Sequence, residues 1–278
     1  MFNNGVVRLI ELSHQYIGPD GLELQSVSRF FDQFEPDEDW DRIAYYTARK
    51  RIGDRMGISD LKSISKYDIE EEKEIVLQIW DDKKQISIDH GNRIHQVMED
   101  YFRGISISSQ DLKMANSVFN YLKGYFKIHT EEIVYDLSKK LSGTADLIMQ
   151  RQRKADGFID FGDYKTNISK GIEYDSIYNK NGKIKHLNKR FKSPIEHLEF
   201  CNYNLYALKT SMYAYLAEKN FNAKIGKLFL LFIDVVVDSY GDYKFRGVKY
   251  IPFPYLKLEC ELLLNLKNNI SKSNEVTW

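Results

Sequence analysis

Apolar positions along this chain recur at two spacings, and the change from one to the other organises it. Through Trp40–Met56 and again through Ile69–Ile86 they return every three or four residues, the period of a helix with one buried face. Gly91–Phe102 predicts a further helix, and Ser109–His129 a long amphipathic one. From Glu131 the period shortens. Glu131–Asp136, Leu141–Met149 and Gly157–Thr166 read as strands, with Lys154–Gly157 as the turn before the last. Helical spacing resumes over Glu199–Lys219. Lys227–Val237 and Tyr243–Ile251 predict two more strands joined at Asp238–Asp242, and Pro252 and Pro254 open a last helix reaching about Asn269.

Weaker signals fill in the N-terminal part. Val6–Ile17 suits a short strand, and Ser26 is placed to cap a helix containing Phe30 and Phe31. Glu35–Asp41, with Pro36, reads as a loop. The acidic run Glu70–Glu74 reads as a solvated helix start, where carboxylates complement the helix dipole. There is no internal repeat and no low-complexity linker. Helices precede a sheet that one helix interrupts, so the expected class is α/β. The expected organisation is a single domain over residues 1–278, mainly helical over 1–85 and with its core over 86–270.

Composition narrows the function classes. With 14% aromatic residues the chain is expected to be ordered. Its 40 basic residues balance 40 acidic ones, so any nucleic-acid binding must come from a local basic surface. Cys201 and Cys260 are the two cysteines, which argues against a disulfide framework and against a four-cysteine iron–sulfur cluster. Residues 1–20 lack a long apolar stretch, so no signal peptide is expected. The most apolar run, Leu228–Val237, is broken by Asp234 and too short to span a bilayer. The expected protein is soluble, without a membrane partner, and cytoplasmic.

The chemistry concentrates in Gly143-Thr144-Ala145-Asp146 and Asp163-Tyr164-Lys165-Thr166. Each predicted strand carries a carboxylate, and alternation puts Asp163 and Lys165 on one face. Two converging carboxylates form a hard oxygen site for a divalent cation, and a lysine beside them suits phosphate or a polarised water. That is the chemistry of phosphodiester hydrolysis. Gly91, His95 and Glu99 share a helix face at i, i+4 and i+8, so the preceding helix is placed to add His95. Asp160 is a rival second carboxylate, but it stands five residues before Lys165 on the opposite strand face.

Together, Gly91–Glu99, Gly143–Asp146 and Asp163–Thr166 resemble the PD-(D/E)XK nuclease superfamily. The likeness is to its RecB-type branch, which includes the mitochondrial genome maintenance exonuclease and related phage nucleases. It spans roughly residues 24–268, including Ser26-Val27-Ser28 as the counterpart of a Ser-Val-Thr-like segment. It implies a restriction-endonuclease-like core, with a mixed central sheet flanked by helices and a helical N-terminal portion. It also implies a metal-dependent DNA exonuclease acting on single-stranded or end-containing DNA in replication, recombination or repair. If the chain is phage-encoded, its compartment is the host-cell cytoplasm. The alternatives are a structure-specific or defence-related endonuclease, a non-catalytic DNA-binding module on the same fold, and a hydrolase of another phosphorylated substrate.

Carried over residue by residue, the resemblance implies that Asp146, Asp163, His95 and the Tyr164 carbonyl hold Mg²⁺ or Mn²⁺. Lys165 would orient the attacking water, and Glu99 would either support His95 from behind or face solvent. Lys209-Thr210-Ser211-Met212-Tyr213 stands where relatives carry Gln-X-X-X-Tyr, with lysine replacing glutamine. Lys209 and Tyr213 are therefore DNA-contact candidates, Tyr213 alternatively a core aromatic. Asn179–Lys192 contains Lys180, Lys183, Lys185, Lys189, Arg190 and Lys192 without an acid. It is either a solvated loop or a grip on the DNA backbone, with Tyr178 and Phe191 available to stack on bases.

Overall fold

Strands come before the first helix. β1 (Arg8–Ile10) and β2 (Gln15–Ile17) form a hairpin, and β3 (Glu23–Ser26) extends it. Ser26 ends β3 and caps α1 (Val27–Asp32), its Oγ accepting the Arg29 N–H at 3.2 Å. The start of the chain is thus part of a sheet as well as helical. The computed structural model describes residues 2–151, 157–166, 171–175, 177–180, 183–237 and 243–274. The turn expected before Gly157 and the connection at 238–242 lie outside the described residues.

The chain divides into a helical unit, Asp37–Arg93, and a sheet unit made of Met1–Pro36 and Ile94–Trp278. In the helical unit, α2 (Trp40–Met56) is capped by Asp39, whose Oδ1 accepts the Arg42 N–H at 2.9 Å. Ala44, Ala48 and Ile52 pack with Ile69 and Val76 of α3 (Lys66–Phe102). The acidic run of α3 is only partly solvated. Glu72 is buried, ion-paired to Arg51 at 3.0 Å and Arg55 at 2.9 Å, because its helical position faces α2. The two helices expected over Ile69–Ile86 and Gly91–Phe102 are one helix. Gly91 has helical neighbours on both sides and tolerates the continuation at a modest propensity cost.

In the sheet unit, α4 spans Ser109–Leu122 and β4 spans Tyr125–Asp136. The helix expected to reach His129 therefore stops short. Tyr125–His129 instead pair with Arg151–Ile148 of β5 (Leu141–Arg151), and this ladder overrides the local helical spacing. β5 also pairs antiparallel with β6 (Phe158–Thr166) and, near its start, parallel with β3. β6 continues in parallel to β9 (Lys224–Val237), reached through a hairpin of β7 (Ile177–Lys180) and β8 (Lys183–His186) and then α5 (Asn202–Phe221). β10 (Tyr243–Phe253) closes the sheet against β9, and α6 (Lys257–Asn274) follows. Pro252 lies within β10 rather than opening the helix, an allowed place for proline on an edge strand.

The result is an α/β fold with a mixed sheet of order β1-β2-β3-β5-β6-β9-β10 and β4 on the free edge of β5. Alternation sorts the side chains between two faces. Ile148, Phe161 and Leu230 join a core with Phe30, Leu208, Met212 and Leu263 from α1, α5 and α6. Leu147, Met149 and Leu231 join a second core with Ile94, Met98 and Val118 from α3 and α4. Each fully buried side chain of this kind contributes roughly 1.5–3 kcal/mol. Among the described residues no helix is long and apolar enough to cross a membrane.

Candidate active site

The β5–β6 ladder stops at Leu147 and Gly162, and the next residue on each strand is a carboxylate: Asp146 and Asp163. Beyond that point the strands part, with β6 following β9. Asp146 takes the place of a backbone acceptor there, its Oδ2 accepting the Tyr164 N–H at 3.0 Å. Asp163 and Lys165 share a face, as alternation predicts. Lys165 Nζ donates to Asp163 Oδ1 at 2.7 Å and to the Tyr164 carbonyl at 2.9 Å, and lies 4.0 Å from Asp146 Oδ2.

His95, on the C-terminal part of α3, reaches the same place. Its Nδ1 is 3.6 Å from Asp146 Oδ2 and 3.4 Å from Glu131 Oε1. The sequence alone gives Glu131 no role. It lies on β4 between Thr130, paired to Leu147, and Glu132, paired to Ala145, and so faces Asp146. Its φ is 52°, a left-handed conformation that costs a non-glycine residue about 1–3 kcal/mol. Ligand atoms of His95, Glu131 and Asp146 all lie within 4.8 Å of one another. No local pattern separates Glu131 from Glu132, which pairs with His129 at 3.3 Å. Only the register of β4 on β5 brings it to the cluster.

Charge crowding is visible in the ionisation of these groups. Burial and the neighbouring Asp146 hold the Asp163 carboxyl well above the usual carboxylate range, despite Lys165. Burial opposes a charged His95, but Asp146 and Glu131 outweigh it and raise its pKa to about 9. On the same helix, burial and Arg93 push His90 down to about 4. Burial also opposes a charged Lys165, yet Asp163 and Asp146 outweigh it and raise its pKa, so at neutral pH it is a cation rather than a base. A partly dehydrated set of carboxylates with one imidazole and a backbone carbonyl suits a divalent cation in donor chemistry.

Tyr164 presents its carbonyl to Lys165 while its ring packs edge-on to His95, 6.0 Å between centroids. Its hydroxyl is buried and, among the described residues, has no hydrogen-bond partner. Tyr164→Phe is therefore expected to leave stability unchanged or raise it by up to about 1 kcal/mol, read by urea unfolding. A loss of that size would mean that the hydroxyl has a partner in solution.

The remaining candidates separate. Glu99 pairs with Arg103 at 2.6 Å rather than turning to His95. Lys209 of α5 is half-buried. Burial lowers its pKa against the pull of Glu35 and Asp32, and it also feels Lys165 and Asp163. Tyr213, one turn on, is a packing residue. A Cβ at Gly143 would lie 2.5 Å from its ring, so the glycine of Gly143-Thr144-Ala145-Asp146 makes room for Tyr213. Lys180 and Lys183 pair across the β7–β8 hairpin and Lys185 lies on β8; their side chains, like Tyr178's, are outside the described residues. Arg190 is exposed but donates to the His197 carbonyl at 3.0 Å, while Lys189 and Lys192 are half-buried. Phe191 is buried against Phe200 with ring centroids 5.1 Å apart, so it belongs to the core and not to a base-stacking surface.

Asp160 does not join the site. It is buried on the other face of β6, accepting from Arg151 Nη2 at 2.8 Å and Nε at 3.1 Å, Tyr125 OH at 2.7 Å and the Lys227 N–H at 2.7 Å. Gly226 is required beside it, since a Cβ there would meet Asp160 Oδ1 at 2.0 Å. Compared with known proteins, the chain matches no family model and no curated protein.

Proposed function

We propose that this chain is a divalent-metal-dependent deoxyribonuclease with a PD-(D/E)XK-type core, acting as an exonuclease on single-stranded or end-containing DNA. The observation that carries this reading is the fork of β5 and β6. It brings Asp146, Asp163 and Lys165 together, Lys165 Nζ within 4.0 Å of both carboxylates. Asp146, Asp163, His95, Glu131 and the Tyr164 carbonyl are the groups that would hold Mg²⁺ or Mn²⁺. A bound cation of this kind supplies Lewis acidity, lowering the pKa of a water and polarising the scissile phosphodiester. Lys165 has three donor hydrogens, of which two are committed to Asp163 and Tyr164. The third is available to position a water or to neutralise charge growing on the phosphate. Lys209 lies close enough to add positive potential on the α5 side.

The direct test is digestion of end-labelled single- and double-stranded DNA with Mg²⁺, Mn²⁺ or EDTA. Progressive, metal-dependent shortening from an end supports the exonuclease, and internal cuts would replace it with an endonuclease. Binding without cleavage in any metal would leave only a DNA-binding module.

Metal binding carries its own expectation. With His95 held up to about 9, the imidazole is protonated at pH 7 and must give up its proton to become a ligand. Mn²⁺ affinity should therefore rise between pH 6 and 9, with protons released to buffer in calorimetry. Asp146→Asn and Glu131→Gln should each weaken binding at least about tenfold, the loss seen even for outer partners of metal ligands. Unchanged affinity in Glu131→Gln would remove that residue from the set.

A further inference from the structure

A second concave site lies in the sheet unit, on none of the residues proposed to hold metal or DNA. A cavity of about 470 Å³ is lined by His14 of the β1–β2 hairpin, Glu23 and Gln25 of β3, and Arg29 of α1. Lys140, just before β5, and Lys267 of α6 complete the wall. Five sequence segments thus converge on one opening, and their charge is mostly of one sign. Among the lining residues, the basic Arg29, Lys140 and Lys267 face one carboxylate, Glu23.

Lys267 is half-buried. Its Nζ donates to Gln25 Oε1 at 3.0 Å and to the Lys140 carbonyl at 3.3 Å, and it stands 5.3 Å from the centre of the Phe30 ring. Burial lowers its pKa to about 8, with Asp136 opposing and Lys140 adding to the fall. Among the described residues Arg29 and Lys140 form no ion pair. His14, with φ of 48°, also holds a strained backbone at the rim.

We infer that this pocket binds a phosphate monoester of nucleotide size, met by Arg29, Lys140 and Lys267. A monoester carries close to two negative charges at neutral pH, opposite in sign to the Arg29, Lys140 and Lys267 side chains. Arginine and lysine together supply the forked and point donors that phosphate oxygens take. The volume lies within the ~300–1,000 Å³ of small-ligand sites, leaving space for a sugar and base beyond the phosphate. The monoester has two possible sources, a free nucleotide or the phosphorylated end of a strand. Lys140 precedes Asp146 by six residues, at most roughly 20 Å at the rise of a strand. The strand-end source rests on the nuclease reading; the free-nucleotide source does not.

The test uses the full chain in EDTA, so that binding is measured without cleavage. Deoxythymidine monophosphate and thymidine are compared by calorimetry. Oligodeoxynucleotides of one sequence with 5′-phosphate, 3′-phosphate or hydroxyl ends are compared by anisotropy. The monophosphate is expected to bind at least about tenfold more tightly than thymidine. Arg29→Gln, an exposed change that should leave the fold intact, and Lys267→Met should each erase that preference. If oligonucleotides with one phosphorylated end also bind about tenfold more tightly than the hydroxyl form, the source is a strand end. If only the mononucleotide discriminates, the source is a free nucleotide. Equal binding of monophosphate and thymidine, or a preference unchanged in Arg29→Gln, would overturn the site. Absence of metal-dependent cleavage would count against the nuclease reading and leave this result standing.

Discussion

Lys165→Ala is expected to reduce metal-dependent DNA cleavage by about 10²–10³-fold, the usual loss when one preorganised donor to a developing oxyanion is removed. The expectation comes from where the ammonium is held. It sits between Asp163 Oδ1 and the Tyr164 carbonyl, on the side of the β5–β6 fork that both carboxylates share. Removing it deletes a cation and no ligand, so Mn²⁺ affinity should be retained or should rise as a repelling charge is lost. Cleavage rates and calorimetry on one preparation separate the two effects. Cleavage within a few-fold of the parent would refute the role given to Lys165. Lost metal binding would instead make Lys165 a structural support of the carboxylates.

The second large effect concerns stability. Asp160→Ala is expected to cost about 3 kcal/mol, near the lower end for a broken buried ion pair, because Arg151 remains one-third exposed and can turn to water. The Tyr125 hydroxyl and the Lys227 N–H would also lose their acceptor. For a unit of this size such a loss lowers the melting temperature by roughly 6–12 °C. Asp163→Asn, three residues along the same strand, should do the opposite. A carboxyl whose pKa is raised on folding stabilises the fold only while protonated, so that contribution fades as pH rises through the elevated pKa. Amidation should therefore leave stability unchanged or improved at neutral pH while cleavage is lost. Melting curves of the two variants side by side decide the matter. Equal destabilisation would mean that Asp163 is also a structural anchor.

These two aspartates show where sequence reading works. Alternation alone separates them onto opposite faces of β6, and it places Lys165 with Asp163. What alternation does not reveal is that Asp160 has four donors waiting, since Arg151, Tyr125 and Lys227 come from β5, β4 and β9. Glu131 is the same lesson within the site, an acidic strand residue like its neighbour until β4 is set in register on β5. Phe191 is the converse, an aromatic at the end of a basic segment that proved to be core.

By itself the sequence determined the periodic elements, the cap at Ser26, the α/β class and the strand pair carrying Asp146, Asp163 and Lys165. All of these depend on residues a few positions apart, where rotamer sterics and side-chain alternation act. Tertiary structure alone decided that Tyr125–His129 join a strand, that Glu72 is buried and that Glu131 meets His95. It also decided that Arg29, Lys140 and Lys267 face one cavity. Each of those outcomes depends on a partner more than ten residues away, and only the closed chain brings such a partner within the few ångströms over which hydrogen bonds, packing and dehydrated charges act.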